Sequence, residues 1–114
     1  MPSAEDRIVV HPRVLATIAS LAALSVPGVA RLRSRRLAFP LRLLWPMAGR
    51  AVRLRVDDHA VFVDLHLILN AGYSLLEASR KVQEAVARTI EEMTDMRVLQ
   101  VNVHIEGVRS ATYS

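Results

Sequence analysis

Two stretches in the second half of the chain alternate between apolar and polar residues, one from Ala60 to Asn70 and one from Val98 to Glu106. Because successive side chains of a strand point to opposite faces, a period of two predicts a strand with one buried face. Between them, apolar residues return every three or four positions, which predicts an amphipathic helix. The two strands of such a unit can run parallel in one sheet, either adjacent or with another strand between them.

Local signals mark the ends of this helix. Ser74 is a good N-cap, and Glu77 three residues later completes a capping box. Gly72 lets the backbone leave the preceding strand at angles that other residues avoid. We expect the helix to end near Thr94 and Asp95, with the aspartate in a left-handed cap.

The first half of the chain predicts a second helix and a hairpin. Pro12 suits a first helical turn, and Pro27 with Gly28 ends the helix, which is expected to run to about Val26. Residues 8–10 and 29–32 are expected to form short strands, and residues 51–56 a strand that turns at 57–59 into the long one. The predicted fold class is α+β, a two-layer sandwich with two helices packed on one face of a three- to four-stranded mixed sheet.

A length of 114 residues allows one domain with one core. We expect a flexible leader at residues 1–7, a single domain at 8–108 and a tail at 109–114. Residues 33–50 fit no regular element, because two prolines and a glycine interrupt the segment. The segment is also more apolar than an ordinary solvent-exposed loop. They are interpreted as a basic, apolar insert loop within the domain.

The composition excludes several classes of protein. The chain has no cysteine, so disulfides, thiolate metal sites and cysteine nucleophiles are excluded, which fits a reducing cytoplasm. Glu5 and Asp6 give the N-terminus the wrong charge for a secretory signal. The uncharged stretch from Val14 to Ala30 is short for a membrane span and contains a Pro-Gly pair, so it is interpreted as a buried helix.

The net charge of +4 conceals a basic block at residues 31–56, which holds eight arginines and no acid and carries +8. Arginines interleaved with Phe39 and Trp45 suit three alternatives: packing on the domain itself or in an oligomer, contact with a protein partner or anionic membrane, and nucleic-acid binding. The candidate partner or membrane surface comprises Arg33, Arg35, Arg36, Phe39, Arg42, Trp45 and Arg50.

Metal-capable side chains lie on the polar face of the predicted sheet, with Asp64 and His66 on one strand and His104 and Glu106 on the other. If these strands are adjacent and in register, the four groups converge. The alternative, which we favour, is a solvated face with cross-strand pairs such as Arg55 with Asp64. The chain has no glycine-rich phosphate loop, H-E-x-x-H motif or nucleophile elbow, so we expect no enzyme and no catalytic, cofactor or metal site.

Four segments together resemble the alkaline shock protein family of bacterial envelope stress response proteins. They are IASLAALSVPGVARL, AVRLRVDDHAVFVDLHLIL, GYSLLEASRKVQEAVARTIEEMT and VNVHIEGV. The ordered combination of V-D-L (63–65), V-Q-x-x-V (82–86), M-T (93–94) and V-N-V (101–103) is fairly specific, and the match spans residues 8–108. The chain departs from the family at Asp95, where relatives commonly have glycine, and in the basic segment 33–50.

The resemblance implies a non-enzymatic cytoplasmic protein concerned with cell-envelope homeostasis, and it brings no catalytic residues. Some family members lie beneath the membrane through a separate membrane-anchored partner, and they self-associate. The expected function is therefore a small scaffold or adaptor that acts by self-association or by binding a membrane-associated partner. Residues 33–50 add an expected peripheral contact with anionic lipid at the inner face of the membrane. The alternative is a nucleic-acid-binding module that uses the basic block.

Overall fold

The computed structural model describes residues 8–32 and 51–110. Its elements in chain order are α1 (Pro12–Leu24), β1 (Val29–Leu32), β2 (Val52–Asp57), β3 (Ala60–Asn70), α2 (Leu75–Met93) and β4 (Arg97–Arg109). The predicted leader, the insert loop and residues 111–114 of the predicted tail lie outside the described residues.

β3 is the central strand of a mixed four-stranded sheet. β4 runs parallel to β3 along its whole length, so the two predicted parallel strands are direct neighbours. On the other side of β3, two short strands run antiparallel to it: β2 pairs with residues 60–65 and β1 with residues 67–69. β1 and β2 therefore lie end to end along one edge of β3.

One face of β3 forms the centre of the core. Its side chains are at most 1% exposed, and they are Val61, Val63, Leu65, Leu67 and Leu69. Both helices pack against this face and against each other. The apolar stripe of α2 is buried there, through Ala78, Val82, Ala85, Val86 and Ile90. The predicted two-layer α+β sandwich is confirmed.

The helix ends confirm some predictions and correct others. Ser74 caps α2, since its hydroxyl accepts a hydrogen bond from the Glu77 amide at 3.2 Å. The left-handed cap at Asp95 is wrong: Thr94 ends α2 in an extended conformation, and its hydroxyl donates to the Ile90 carbonyl at 2.7 Å. Among the described residues, the non-glycine residue with positive φ is instead Asp58, in the β2–β3 turn.

Two further expectations for the first half are corrected. α1 ends at Leu24 rather than near Val26, because the Ser25 hydroxyl donates to the Ala22 carbonyl at 2.7 Å in the turn before Pro27. Residues 8–10 form no strand; their side chains are exposed, and no described strand pairs with them.

Gly28, in the turn between α1 and β1, packs against the connection between β3 and α2. Its carbonyl accepts a hydrogen bond from the Asn70 amide at 2.7 Å, and its φ is +100°. A Cβ atom at this position would lie 2.9 Å from the ring of Tyr73, just before α2. Gly72 also has a positive φ, of +96°, but a Cβ there would meet nothing within 4 Å. Gly28 is thus required by both backbone and packing.

We predict that Gly28→Ala lowers the free energy of unfolding by more than Gly72→Ala. Both substitutions place a Cβ on left-handed backbone, at roughly 1–2 kcal/mol, but the contact with Tyr73 arises only at Gly28. Urea denaturation of the two variants measures the difference. Adding Tyr73→Ala to Gly28→Ala should recover part of the loss; equal losses in the two glycine variants would contradict this packing.

Candidate functional site on the open face of the sheet

The two faces of the sheet differ in composition. The helices cover one face, and the side chains of the opposite face, here called the open face, are partly or fully exposed. β2 contributes Arg53 and Arg55 to this face, and β3 and β4 contribute a set of polar groups that is here called the polar ladder. The polar ladder comprises Asp64, His66, Asn102, His104 and Glu106.

Two histidines lie side by side at the centre of the polar ladder. The parallel register of β3 and β4 places His66 opposite His104. Their rings stack with centroids 4.5 Å apart and an interplanar angle of 13°. Because both side chains project from neighbouring strands on the same face, the register alone brings them together.

Each histidine faces one carboxylate. His66 Nδ1 lies 2.8 Å from Glu106 Oε2, and His104 Nε2 lies 3.4 Å from Asp64 Oδ1. The same Asp64 oxygen accepts a hydrogen bond from Asn102 Nδ2 at 2.9 Å. The condition set in the sequence analysis, adjacent strands in register, is therefore met, and Asp64, His66, His104 and Glu106 lie together as two histidine–carboxylate pairs. The role of Asn102 was missed, because its pairing with Asp64 follows from the register and no sequence pattern marks it.

These hydrogen bonds change the acidity of Asp64. The amide of Asn102 is the main reason why the pKa of this carboxyl lies below its ordinary value of 3.8. The hydrogen bond from His104 and the two neighbouring histidine rings act in the same direction, while partial burial opposes them. Asp64 therefore stays ionised, and stays a hydrogen-bond acceptor, at lower pH than an isolated aspartate.

The polar ladder is not a closed metal cage. Within residues 8–32 and 51–110, no group of three or more His, Cys, Asp or Glu side chains is arranged to hold a metal ion. The carboxylates of the polar ladder instead contact the histidine rings and orient them. The side chains remain accessible, with exposures of 25% for His66 and 47% for His104.

The arginines of β2 are arranged differently from the expected pairs. Arg53, not Arg55, lies opposite Asp64, so the expected pair of Arg55 with Asp64 is wrong. The Arg55 guanidinium carbon lies 4.1 Å from the centre of the Phe62 ring, a cation–π contact. Both arginines lie on the open face, but the turn at residues 58–59 places Arg55 opposite Phe62, two positions from Asp64 on β3.

The candidate partner or membrane surface of the sequence analysis lies outside the described residues: Arg33, Arg35, Arg36, Phe39, Arg42, Trp45 and Arg50. The described chain stops at Leu32, opposite Leu67, and resumes beside Val52, opposite Leu65. Both ends of this segment therefore meet the same edge of β3. In the described part of the chain, no helix combines the length and the hydropathy needed to cross a membrane.

The outer edge of β4 is a feature that the sequence analysis missed. Among the described residues, β4 pairs with no strand other than β3. α2 covers the first part of this edge, where Glu91 accepts a hydrogen bond from the Val98 amide at 2.8 Å and Gln83 donates to the Val101 carbonyl at 3.1 Å. Leu99 lies where the register shifts, and grooves of about 340 and 290 Å³ meet at its side chain.

We predict that Asp64 makes the fold sensitive to acid. Because its pKa is lowered on folding, the stabilisation is complete above its ordinary value of 3.8 and is lost as the pH falls through the lower, folded value. The free energy of unfolding of the wild type should exceed that of Asp64→Asn near neutral pH. This difference should shrink as the pH falls below the ordinary pKa of 3.8, measured by urea denaturation.

Asn102→Ala is the matched control, since it removes the main cause of the lowered pKa. In a chain that carries Asn102→Ala, the effect of Asp64→Asn on the free energy of unfolding should depend less on pH. A difference between wild type and Asp64→Asn that stays constant across the acid range would contradict the assignment.

Two bacterial relatives align with most of the chain. Uncharacterized protein YqhY of Bacillus subtilis (strain 168) is 26% identical over 107 residues, which cover 93% of this chain and 79% of YqhY. Uncharacterized protein Spy1535 of Streptococcus pyogenes serotype M6 is 29% identical over 102 residues, 89% of this chain and 78% of Spy1535. Neither name specifies an activity.

Solved structures with a similar fold include those of MamM CTD. A histidine-to-alanine variant and a copper form both superpose with a TM-score of 0.53 and cover 85% of this chain and 98% of their own. The sequence identities are 18% and 16%, so the likeness shows the fold alone.

A family model agrees with the motifs quoted from the sequence. It matches residues 1–110 and describes a family with a cell envelope-related function. The resemblance inferred from the four segments is thereby confirmed. The chain belongs to the alkaline shock protein 23 family, whose function is related to the cell envelope.

Proposed function

We propose that this protein is a non-enzymatic scaffold or adaptor in the envelope-related process of its family, acting at the cytoplasmic side of the membrane. It works by self-association or by binding a membrane-associated protein partner. The observation that carries the proposal is the outer edge of β4, a strand of 13 residues with a strand neighbour on one side only, among the described residues.

An open strand edge is a binding site for another strand, because its outward N–H and C=O groups can continue the ladder of the sheet. Many proteins block such edges with lysine or proline, and β4 contains neither. α2 covers the edge at Val98 and Val101, which leaves the stretch from Val103 onward for a partner. Leu99 and Val108 add exposed apolar side chains, at 56% and 52%, toward the two ends of the strand.

The non-enzymatic part of the proposal rests on the polar ladder. Its carboxylates and histidines are hydrogen-bonded to one another, and Asp64 also to Asn102. Groups committed to mutual pairing on an exposed face lack the enclosed, water-excluding setting in which acid–base catalysis is efficient. The shallow grooves beside β4 suit the side chains of a bound strand better than a small substrate.

The contact with membrane is proposed for the basic segment at residues 33–50. Its arginines attract anionic head groups, and Phe39 and Trp45 suit the interface between head groups and acyl chains. The described chain leaves and rejoins the sheet on the β1–β2 edge, opposite the β4 edge. A strand partner on β4 and a lipid surface at the other edge would therefore not compete for the same part of the sheet.

We predict that the double variant Leu99→Lys with Val108→Lys weakens self-association. Lysines along the edge would repel a second strand and remove apolar contact, and a loss of about 1.4 kcal/mol corresponds to a roughly tenfold higher dissociation constant. Sedimentation velocity over a concentration series measures this constant.

Leu21→Lys is the control, because Leu21 is similarly exposed, at 64%, but lies on α1, which packs beside β1 and β2 at the other side of the sheet. It should leave the dissociation constant unchanged. A wild-type chain that stays monomeric throughout the series would contradict self-association, and a loss confined to Leu21→Lys would place the interface elsewhere.

We also predict that vesicles containing phosphatidylglycerol retain the wild type, and that the triple variant of Arg35, Arg36 and Arg42 to Glu is not retained. The attraction is worth about 1 kcal/mol for each arginine near the surface, so reversing three charges should abolish binding. Vesicle sedimentation at low and physiological salt measures the retained fraction.

The matched control reverses three charges on α2, at Arg80, Lys81 and Arg88, and should be retained like the wild type. Equal losses in both triple variants would show unspecific charge attraction and contradict the assignment. Salt-sensitive binding of single-stranded RNA, without retention on vesicles, would favour the nucleic-acid alternative instead.

A further inference from the structure

One end of the sandwich has an apolar surface. The last turn of α1 and the first turn of α2 meet there, because the Asn70 amide donates to the Gly28 carbonyl at 2.7 Å and Gly28 packs against Tyr73. This end, here called the apolar end, carries five large apolar side chains with exposures of 43 to 64%: Leu21, Leu24, Tyr73, Leu75 and Leu76. Large apolar groups gathered at one place on a surface mark a site of contact, whereas isolated ones need no explanation.

The two chain segments that build the apolar end contain no charge. Neither residues 14–30 nor residues 71–76 include Asp, Glu, Lys or Arg. The hydroxyls along α1 are also satisfied within the helix, since Thr17 donates to the Arg13 carbonyl at 3.1 Å and Ser20 to the Ala16 carbonyl at 2.8 Å. The apolar end therefore presents mostly hydrocarbon to its surroundings.

Cations flank the apolar end. Arg31 of β1 and Arg109 of β4 pair with the end of β3, so one exposed arginine lies on each side of that strand. Glu77 is the acid in the first turn of α2, and Arg80 and Lys81 follow it within four residues. The charge around the apolar end is therefore positive.

The other end of the sandwich, here called the acidic end, has the opposite charge. The β2–β3 turn and the connection between α2 and β4 meet there, since the Arg97 amide donates to the His59 carbonyl at 2.7 Å. The acids at this end outnumber Arg97, and they are Asp57, Asp58, Glu91, Glu92 and Asp95. β3 runs from the acidic end to the apolar end, and its 11 residues span about 33 Å. An anionic surface therefore attracts one end of the chain and repels the other.

From this arrangement we infer that the apolar end docks on an anionic lipid bilayer, with the C-terminal end of β3 directed at the membrane. The inference rests on the proposed position of the protein at the membrane, but it uses none of residues 33–50. The leucines enter the boundary between head groups and acyl chains, and the flanking arginines contact phosphate. Tyr73 suits the same boundary, because its ring is apolar and its hydroxyl is polar.

The length of the sheet determines which orientation is stable. With the apolar end on the bilayer, the acidic end lies about 33 Å away, which is roughly four Debye lengths of about 8 Å at physiological ionic strength. Its repulsion by the head groups is then screened. In the reverse orientation, the acids would meet the head groups directly and the exposed leucines would stay in water.

This orientation leaves the other proposed contacts accessible. The described chain stops at Leu32, opposite Leu67, which lies three positions from Asn70 at the end of β3. Residues 33–50 therefore begin near the surface that faces the bilayer. The outer edge of β4 runs along the side of the sheet, so a strand can pair with it while the apolar end is occupied.

The chain has no cysteine and one tryptophan, so each lipid contact can be followed by its own probe. An environment-sensitive fluorophore attached to the Leu76→Cys variant reports on the apolar end, and Trp45 reports on residues 33–50. Vesicles containing phosphatidylglycerol should shift the emission of the fluorophore to the blue, and lipids spin-labelled near the head group should quench it. The same fluorophore on the Met93→Cys variant, at the acidic end, should show neither change.

A pair of variants without a fluorophore tests the apolar contact itself. Leu21→Gln with Leu76→Gln removes apolar contact without changing charge, so it should need about tenfold more lipid for half-maximal binding. Met93→Gln with Leu99→Gln is the matched control, because these side chains are similarly exposed, at 64 and 56%, and lie toward the acidic end. The control should bind vesicles like the wild type.

The outcomes separate this inference from the contact proposed for residues 33–50. A blue shift of Trp45 without any change at position 76 would overturn the inference and leave the other contact intact, and a change at position 76 without one at Trp45 would do the opposite. A shift at position 76 that follows protein concentration without vesicles would show that the apolar end binds a second copy, and would overturn the lipid assignment. Equal lipid requirements of the two double variants would also contradict it.

Discussion

The burial of alternate side chains along β3 is the constraint on which the structure depends. Five aliphatic residues on one face of this strand are at most 1% exposed, and each fully buried side chain of this kind is worth about 1.5–3 kcal/mol. The helices pack on these side chains, and the other three strands pair with the two edges of β3. A shift by one residue would move Asp64 and His66 into the core, so the register is strongly specified.

The same alternation determines what the protein presents to its surroundings. Every second residue of β3 faces away from the helices, and the register with β4 turns those positions into paired polar groups such as His66 with His104. The two edges of the sheet differ as well: one ends in the long strand β4, and the other is divided between two short strands. The long edge of β4 and the open face are thus both presented to the surroundings without involving the core.

Most of the fold could be predicted from the sequence, because the periods of two and of 3.6 residues are strong in β3, α2 and β4. The convergence of Asp64, His66, His104 and Glu106 was predictable once these strands were neighbours. Details that depend on long-range pairing were not predictable, among them the partner of Arg55 and the hydrogen bond between Asn102 and Asp64. The end of α2 near Thr94 was predicted, but the left-handed cap at Asp95 was not found, because the Thr94 hydroxyl bonds to the Ile90 carbonyl and ends the helix in an extended conformation.

The end-to-end placement of β1 and β2 bears on how far the segment between them can vary in length among related sequences. Leu32 and Val52 are anchored two positions apart on β3, opposite Leu67 and Leu65. A loop that joins two such closely spaced positions can be lengthened or shortened at a small entropic cost. Each doubling of its length raises the free energy of loop closure by only roughly 0.6 kcal/mol. Relatives can therefore differ in the length and charge of this connection while the sandwich stays the same.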